Sequence, residues 1–96
     1  MRDHMTDDLD KQRKRLHFRS FRRGTKESDL VIGGFAEANL ARMDARVLDQ
    51  FEALLNQNDP EVLAWITALA DPPDEFDNEV LDALRKFKNA MSDDRV

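Results

Sequence analysis

Asp59-Pro60-Glu61-Val62-Leu63-Ala64-Trp65-Ile66-Thr67-Ala68-Leu69, residues 59–69, is the stretch on which the fold assignment turns. Aspartate is a preferred N-cap, proline is pre-set for the first helical position, and a glutamate in the first turn favours the positive end of the helix dipole. Val62, Trp65, Ile66 and Leu69 then fall at i, i+3, i+4 and i+7, the apolar stripe of an amphipathic helix. Pro72-Pro73 is expected to stop it. The same period recurs on either side. Asp44 is a plausible N-cap for a helix carrying Val47, Leu48, Phe51, Leu54 and Leu55, which Asn56-Gln57-Asn58 ends. Asp77 or Asn78 opens a last helix with Val80, Leu84, Phe87 and Met91 on one side. No segment alternates with period two over a useful length, so no sheet is expected.

The N-terminal half follows the same logic with more ambiguity. A helix from about Asp10 to Phe21 has Leu16 turned inward, with Leu9 and Phe18 as weaker candidates. Gly24 breaks it, and a second helix starts near Lys26 with Glu27 and Asp29 in its first turn. From Leu30 to Met43 the apolar residues cover more than one face, as in a helix at the centre of a molecule. Gly33 and Gly34 each cost about 1 kcal/mol against alanine in such a helix. Close approach of a neighbour would account for that cost, and a local kink is the alternative. The expected architecture is all-α, a compact five-helix bundle with short connections. Residues 1–10 form a flexible N-terminal segment, 11–90 a single helical domain and 91–96 a C-terminal tail.

Composition narrows the function classes. Ninety-six residues suit one domain. The absence of cysteine excludes disulfides and thiolate metal sites, and no other metal-ligand pattern stands out. No apolar run approaches the roughly 18 residues of a membrane span, and the N-terminus lacks the apolar core of a secretory signal. A bacterial cytoplasm is the expected location. His4 and His17 have no nucleophile or carboxylate at a spacing that implies a triad, and no phosphate-binding or dinucleotide motif is present. An enzyme is not expected.

Charge is unevenly distributed along the chain. The net charge is −5, yet residues 11–26 hold eight of the fifteen bases and no acid. Lys11, Arg13, Lys14, Arg15, Arg19, Arg22, Arg23 and Lys26 would suit phosphates, and Phe18 and Phe21 would suit stacking on bases. This makes a nucleic-acid-associated helical protein the alternative function. Against it, residues 27–96 carry sixteen acids and six bases, and the sequence pI is about 4.9. An exposed helix whose charges complement an acidic body is the simpler account, and no nucleic-acid partner is expected. Trp65, mid-stripe, is a core aromatic before it is a ligand platform.

The turn Arg22-Arg23-Gly24-Thr25-Lys26-Glu27 is the richest chemically. Guanidinium forks grip carboxylates or phosphates in bidentate fashion, glycine permits a left-handed turn and close backbone approach, and Glu27 follows at a helix start. On physical grounds alone, an inter-helix turn with a charge-complemented helix end is favoured over a binding site.

The same residues carry a family resemblance. Arg23-Gly24-x-x-Glu27, with Arg22 before and Asp29 after, resembles the R-G-x-x-E signature of the succinate dehydrogenase FAD assembly factor family, the SdhE type. Arg15-Leu16-His17-Phe18, Asn58-Asp59-Pro60-Glu61, Trp65-Ile66 and Pro72-Pro73 agree with it, so that the similarity spans about residues 12–89. Ser28 departs from the pattern, since relatives carry a large apolar residue there. The resemblance implies a small five-helix bundle that binds the flavoprotein subunit of succinate dehydrogenase, and often of fumarate reductase. It implies a dedicated chaperone that promotes covalent attachment of FAD, the bond being made by the flavoprotein itself. Arg23, Gly24 and Glu27 carry over as the contact turn, with Arg22, His17 and Asp29 flanking. No flavin-binding motif assigns cofactor-binding residues in this chain, and nothing in it demands an oligomer. On this basis Arg23→Ala and Glu27→Ala are expected to leave the fold intact while weakening flavinylation.

Overall fold

The computed structural model describes the backbone of residues 2–94 and the side chains of residues 8–91. Five helical segments follow one another with short connections, and among the described residues there is no strand. Helix α1 (Arg2–Ser20) begins eight residues before the expected start at Asp10. Neither glycine nor proline interrupts it, and apart from Arg2 its lysines and arginines follow its carboxylates, an order the helix dipole favours. Leu16 is fully buried and Leu9 packs against the core, whereas Phe18 faces solvent at 59% exposure, contrary to its candidate inward role.

Helix α2 (residues 26–42) is composite. A first α-turn, Lys26–Ser28, runs into a π-turn over Asp29–Gly33, then α-helix over Gly34–Asn39 and a 3₁₀ turn over Leu40–Arg42. Both accounts of the paired glycines hold together. A Cβ on Gly33 would lie 2.5 Å from the Phe21 ring, and one on Gly34 would lie 3.3 Å from Phe87. The helix also changes its winding at that point, as π-turns do, commonly beside functional sites.

Helix α3 (Ala45–Leu55) is capped as expected, the Asp44 carboxylate accepting from the Val47 amide at 2.9 Å. Helix α4 (Asp59–Ile66) is not. Its cap is Asn58, whose side chain accepts from the Glu61 amide at 3.0 Å, and Asp59 is the first helical residue. The helix ends at Ile66, ahead of the two prolines. Ala68 takes a left-handed φ of 62°, and Leu69 folds back to bond Ala64. Leu69 therefore leaves the stripe and stands 84% exposed. A 3₁₀ turn over Asp74–Phe76 stacks Phe76 on the buried Trp65 at 5.4 Å, and helix α5 (Glu79–Asp94) opens on Asn78. Val62, Trp65, Ile66, Leu81 and Leu84 complete a core centred on Ile32, Phe35, Leu48 and Phe51. Each such side chain contributes about 1.5–3 kcal/mol by leaving water.

Half of the eight bases in segment 11–26, namely Arg13, Arg15, Arg19 and Arg23, are engaged by partners within the chain. Arg13 donates to the carbonyls of Leu40 and Met43 where α2 ends. Arg19 donates to Leu55 O and Asn56 Oδ1 at the end of α3. Both arginines thus place their charge at a helix C-terminus, next to its negative pole, where terminal carbonyls lack their full set of donors. Arg15 grips both oxygens of Glu52 at 3.0 Å, and Gln12 donates to Asp49 and Glu52. The charge-complemented exposed helix accordingly fits better than the nucleic-acid alternative: arginines expected on phosphates hold carboxylates and helix ends instead.

Burial alone would raise the Glu52 carboxyl. Hydrogen bonds from Gln12 and Arg15 and the charges of Arg15 and Arg19 outweigh it and hold the group below its ordinary value of 4.5. A carboxylate depressed on folding stabilises the fold above its unfolded pKa and loses that contribution as pH falls through its folded value. Glu52→Gln is therefore expected to lower the melting temperature near about pH 6, with the gap to wild type closing toward about pH 3. Glu52 is partly exposed, so the effect is under about 1 kcal/mol. Thermal melts at both pH values check it, and a gap that widens on acidification would contradict it.

Candidate functional site

The end of α1, the turn after it and the first turns of α2 bring the six candidate residues onto one end of the molecule. Gly24 is the apex. Its φ of +112° is one that side-chain-bearing residues rarely adopt, and a Cβ there would meet nothing within 4 Å. Arg22, exposed, lies over the exposed Phe18 ring with its guanidinium carbon 4.4 Å from the ring centre. His17 packs against Phe21 with the two rings tilted and 5.1 Å between centroids, and its Nε2 lies 2.7 Å from the Glu37 carboxylate. Glu27 is exposed in the first turn of α2 and makes no hydrogen bond or ion pair among the described residues. A shallow depression, lined by Phe21, Arg22, Gly24, Thr25, Lys26, Asp29 and Leu30, runs across this surface.

Arg23 is the exception. Its side chain is 8% exposed and turns inward. Nε donates to Asp59 Oδ1 at 2.8 Å, Nη1 to the Leu55 carbonyl and Nη2 to the Gln57 carbonyl at 3.0 Å. Its backbone amide donates to Asp29 Oδ1 at 2.8 Å, which closes the turn. The two arginines thus divide: Arg22 faces outward and Arg23 ties the turn to the α3–α4 junction. Asp59 sets the orientation of Arg23.

Local sequence explains how the turn is built. Thr25 caps α2, its hydroxyl accepting from the Ser28 amide at 3.2 Å. Ser28, where a large apolar residue was the pattern, is fully buried and donates to Asp59 Oδ2 at 2.7 Å. Asp59 therefore has a guanidinium on one oxygen and a hydroxyl on the other. That is why Asn58 rather than Asp59 caps α4. Sequence reasoning did not place Asp59 or Ser28 in the site, because their partners lie 36 and 31 residues away. It also missed that Leu30, assigned to the central helix's apolar faces, is 56% exposed and lines the same depression as Phe21. Three exposed large apolar side chains around a basic turn make a surface suited to a protein partner.

Among the described residues no group of three metal-ligating side chains gathers, and no helix is long and apolar enough to cross a membrane.

Comparison with known proteins bears on this surface. Residues 14–88 match the family described as flavinator of succinate dehydrogenase. The chain is 39% identical over 74 residues to succinate dehydrogenase assembly factor 2, mitochondrial, of Dictyostelium discoideum, covering 77% of this chain and 52% of that protein. It is 44% identical over 69 residues to FAD assembly factor SdhE of Acetobacter pasteurianus, covering 72% and 63% respectively. A yeast assembly factor 2, from Saccharomyces cerevisiae, is 36% identical over 83 residues, 82% of this chain and 51% of its own length. The chain spans between half and two thirds of the length of these relatives.

Proposed function

The chain belongs to the succinate dehydrogenase FAD assembly factor family, and from that premise we propose that it binds the flavoprotein subunit of succinate dehydrogenase and promotes covalent attachment of FAD to it. It acts as a dedicated chaperone without a catalytic group of its own, and the flavoprotein forms the bond. FAD is then cargo of the partner, not a resident of this chain. The related flavoprotein of fumarate reductase is a second client by the same chemistry, and the bacterial cytoplasm is where a soluble factor would meet both.

One observation carries this function. The Gly24 apex stands open between exposed Phe18, Phe21 and Leu30 and the cations Arg22 and Lys26, while Glu27 has no partner among the described residues. Apolar side chains ringed by charges that lack internal partners are what a protein-docking surface presents. Four of the five arginines in segment 11–26 are engaged by partners within the chain, Arg22 being the exception, which weakens the main support for the nucleic-acid alternative.

The test is covalent flavin on the flavoprotein subunit. That subunit is produced with and without this chain, denatured, and the flavin fluorescence that stays with the polypeptide is read. A severalfold higher signal with the chain present is expected, together with a complex on co-purification. Equal signals and no complex would refute the proposal.

A further inference from the structure

The Asp59 carboxylate sits under the turn at the start of α4, 16% exposed, with both oxygens engaged. Oδ1 accepts from Arg23 Nε, and Oδ2 accepts from the buried Ser28 hydroxyl and, at 3.4 Å, from Thr25. These donors flank Gly24 in sequence on both sides. A single carboxylate on α4 therefore holds the strand of chain that enters the apex and the one that leaves it.

Among the described residues no other side chain from outside α2 does this. Asp29 fixes the Arg23 amide from within α2, so it moves with the turn. Leu55 and Gln57 hold only the guanidinium. Glycine at the apex is the least restrained residue, and without an anchor on each side its backbone would sample many orientations. Binding would then have to order the turn, and ordering costs affinity.

We infer that Asp59, with Ser28, is the positioning element of the partner-binding turn: it clamps Arg23 and Ser28 on either side of Gly24, so that the arginine of the signature works inside the chain. Arg22, Gly24 and Glu27 are the residues then presented outward. The inference rests on the proposed binding to the flavoprotein subunit and says how that site is held. It also gives Ser28 a purpose, because an apolar residue there would leave Oδ2 without its short donor.

The experiment measures affinity of the full chain for the succinate dehydrogenase flavoprotein subunit. Wild type, Asp59→Asn, Ser28→Ala, Arg22→Ala and the double variant Asp59→Asn with Arg22→Ala are compared. Each is measured at a temperature where its circular dichroism is that of the folded chain. Asp59→Asn is expected to bind about tenfold more weakly while folded and Ser28→Ala about threefold. Arg22→Ala is expected to weaken the wild type but to add nothing in the Asp59→Asn background, since an unclamped turn no longer presents Arg22. A purely structural Asp59 would lower the melting temperature and leave the affinity of the folded protein unchanged. That outcome, or losses that simply add, overturns the inference. Failure of the wild type to bind instead overturns the proposed function on which it rests.

Discussion

Arg23→Ala is expected to unfold about 12–24 °C below the wild type, the largest stability loss of any single change at this surface. The pair it breaks is largely withdrawn from solvent, its side chains 8% and 16% exposed, and the arginine donates three side-chain hydrogen bonds. Removing one member of a buried pair leaves the other charge unpaired in a poor solvent, a cost of about 3–5 kcal/mol. The Leu55 carbonyl keeps Arg19 as a donor, and water can reach the partly exposed Gln57 and Asp59, so the lower end of that range applies. At roughly 4–8 °C per kcal/mol for a domain of this size, about 3 kcal/mol gives the stated shift. The change is a large share of the about 5–15 kcal/mol that holds a typical domain together.

Glu27→Ala is the contrast. Glu27 is exposed and unpaired among the described residues, so its loss should stay within about 0.5 kcal/mol. Thermal melts by circular dichroism separate the two. A wild-type melting temperature for Arg23→Ala would mean that the inward guanidinium contributes nothing and that the arginine is free to serve the partner. The signature alone had suggested that both substitutions spare the fold, and the buried pair changes that for one of them. Flavinylation by Arg23→Ala must accordingly be read at a temperature where the variant is folded. Otherwise a stability defect would pass for a contact defect.

How much of this was legible in the sequence depends on the range of the interaction. The stripes of α3, α4 and α5 were, because a 3.6-residue period is a local signal and the core of Leu48, Phe51, Val62, Trp65 and Leu84 follows from it. So were the Asp44 cap and the place of the paired glycines. The end of α4 was not. Its stop is a left-handed Ala68, and alanine, unlike glycine, gives no sign of that conformation. Leu69 was lost with it. The cap of α4 was misassigned for a different reason: Asn58 and Asp59 are equally good caps locally, and a pair 36 residues away decides between them. The same holds for the site. Composition located the basic segment and the resemblance located the turn. Only tertiary contact could separate Arg22, which faces solvent, from its neighbour Arg23, which does not.

The largest functional loss is expected from Gly24→Arg, at least tenfold in affinity for the flavoprotein subunit and a matching fall in covalent flavin. A tenfold change is about 1.4 kcal/mol, well within what one misplaced side chain can remove from an interface. The free protein has room for the arginine, because a Cβ at Gly24 meets no atom within 4 Å. Its own cost on folding is the positive φ, about 1–3 kcal/mol for a residue with a side chain. Two effects are therefore superposed, a strained turn and added bulk at the apex. Gly24→Ala carries nearly the same strain with almost none of the bulk. Melting temperatures of the two variants should lie close together, while only Gly24→Arg abolishes most of the flavinylation at a temperature where both are folded. Equal losses would assign the effect to the backbone and make the turn's shape, not its closeness to the partner, the reason for glycine. Wild-type affinity in Gly24→Arg would mean that the apex does not face the flavoprotein at all, and the docking surface would then have to be sought away from Phe21 and Leu30.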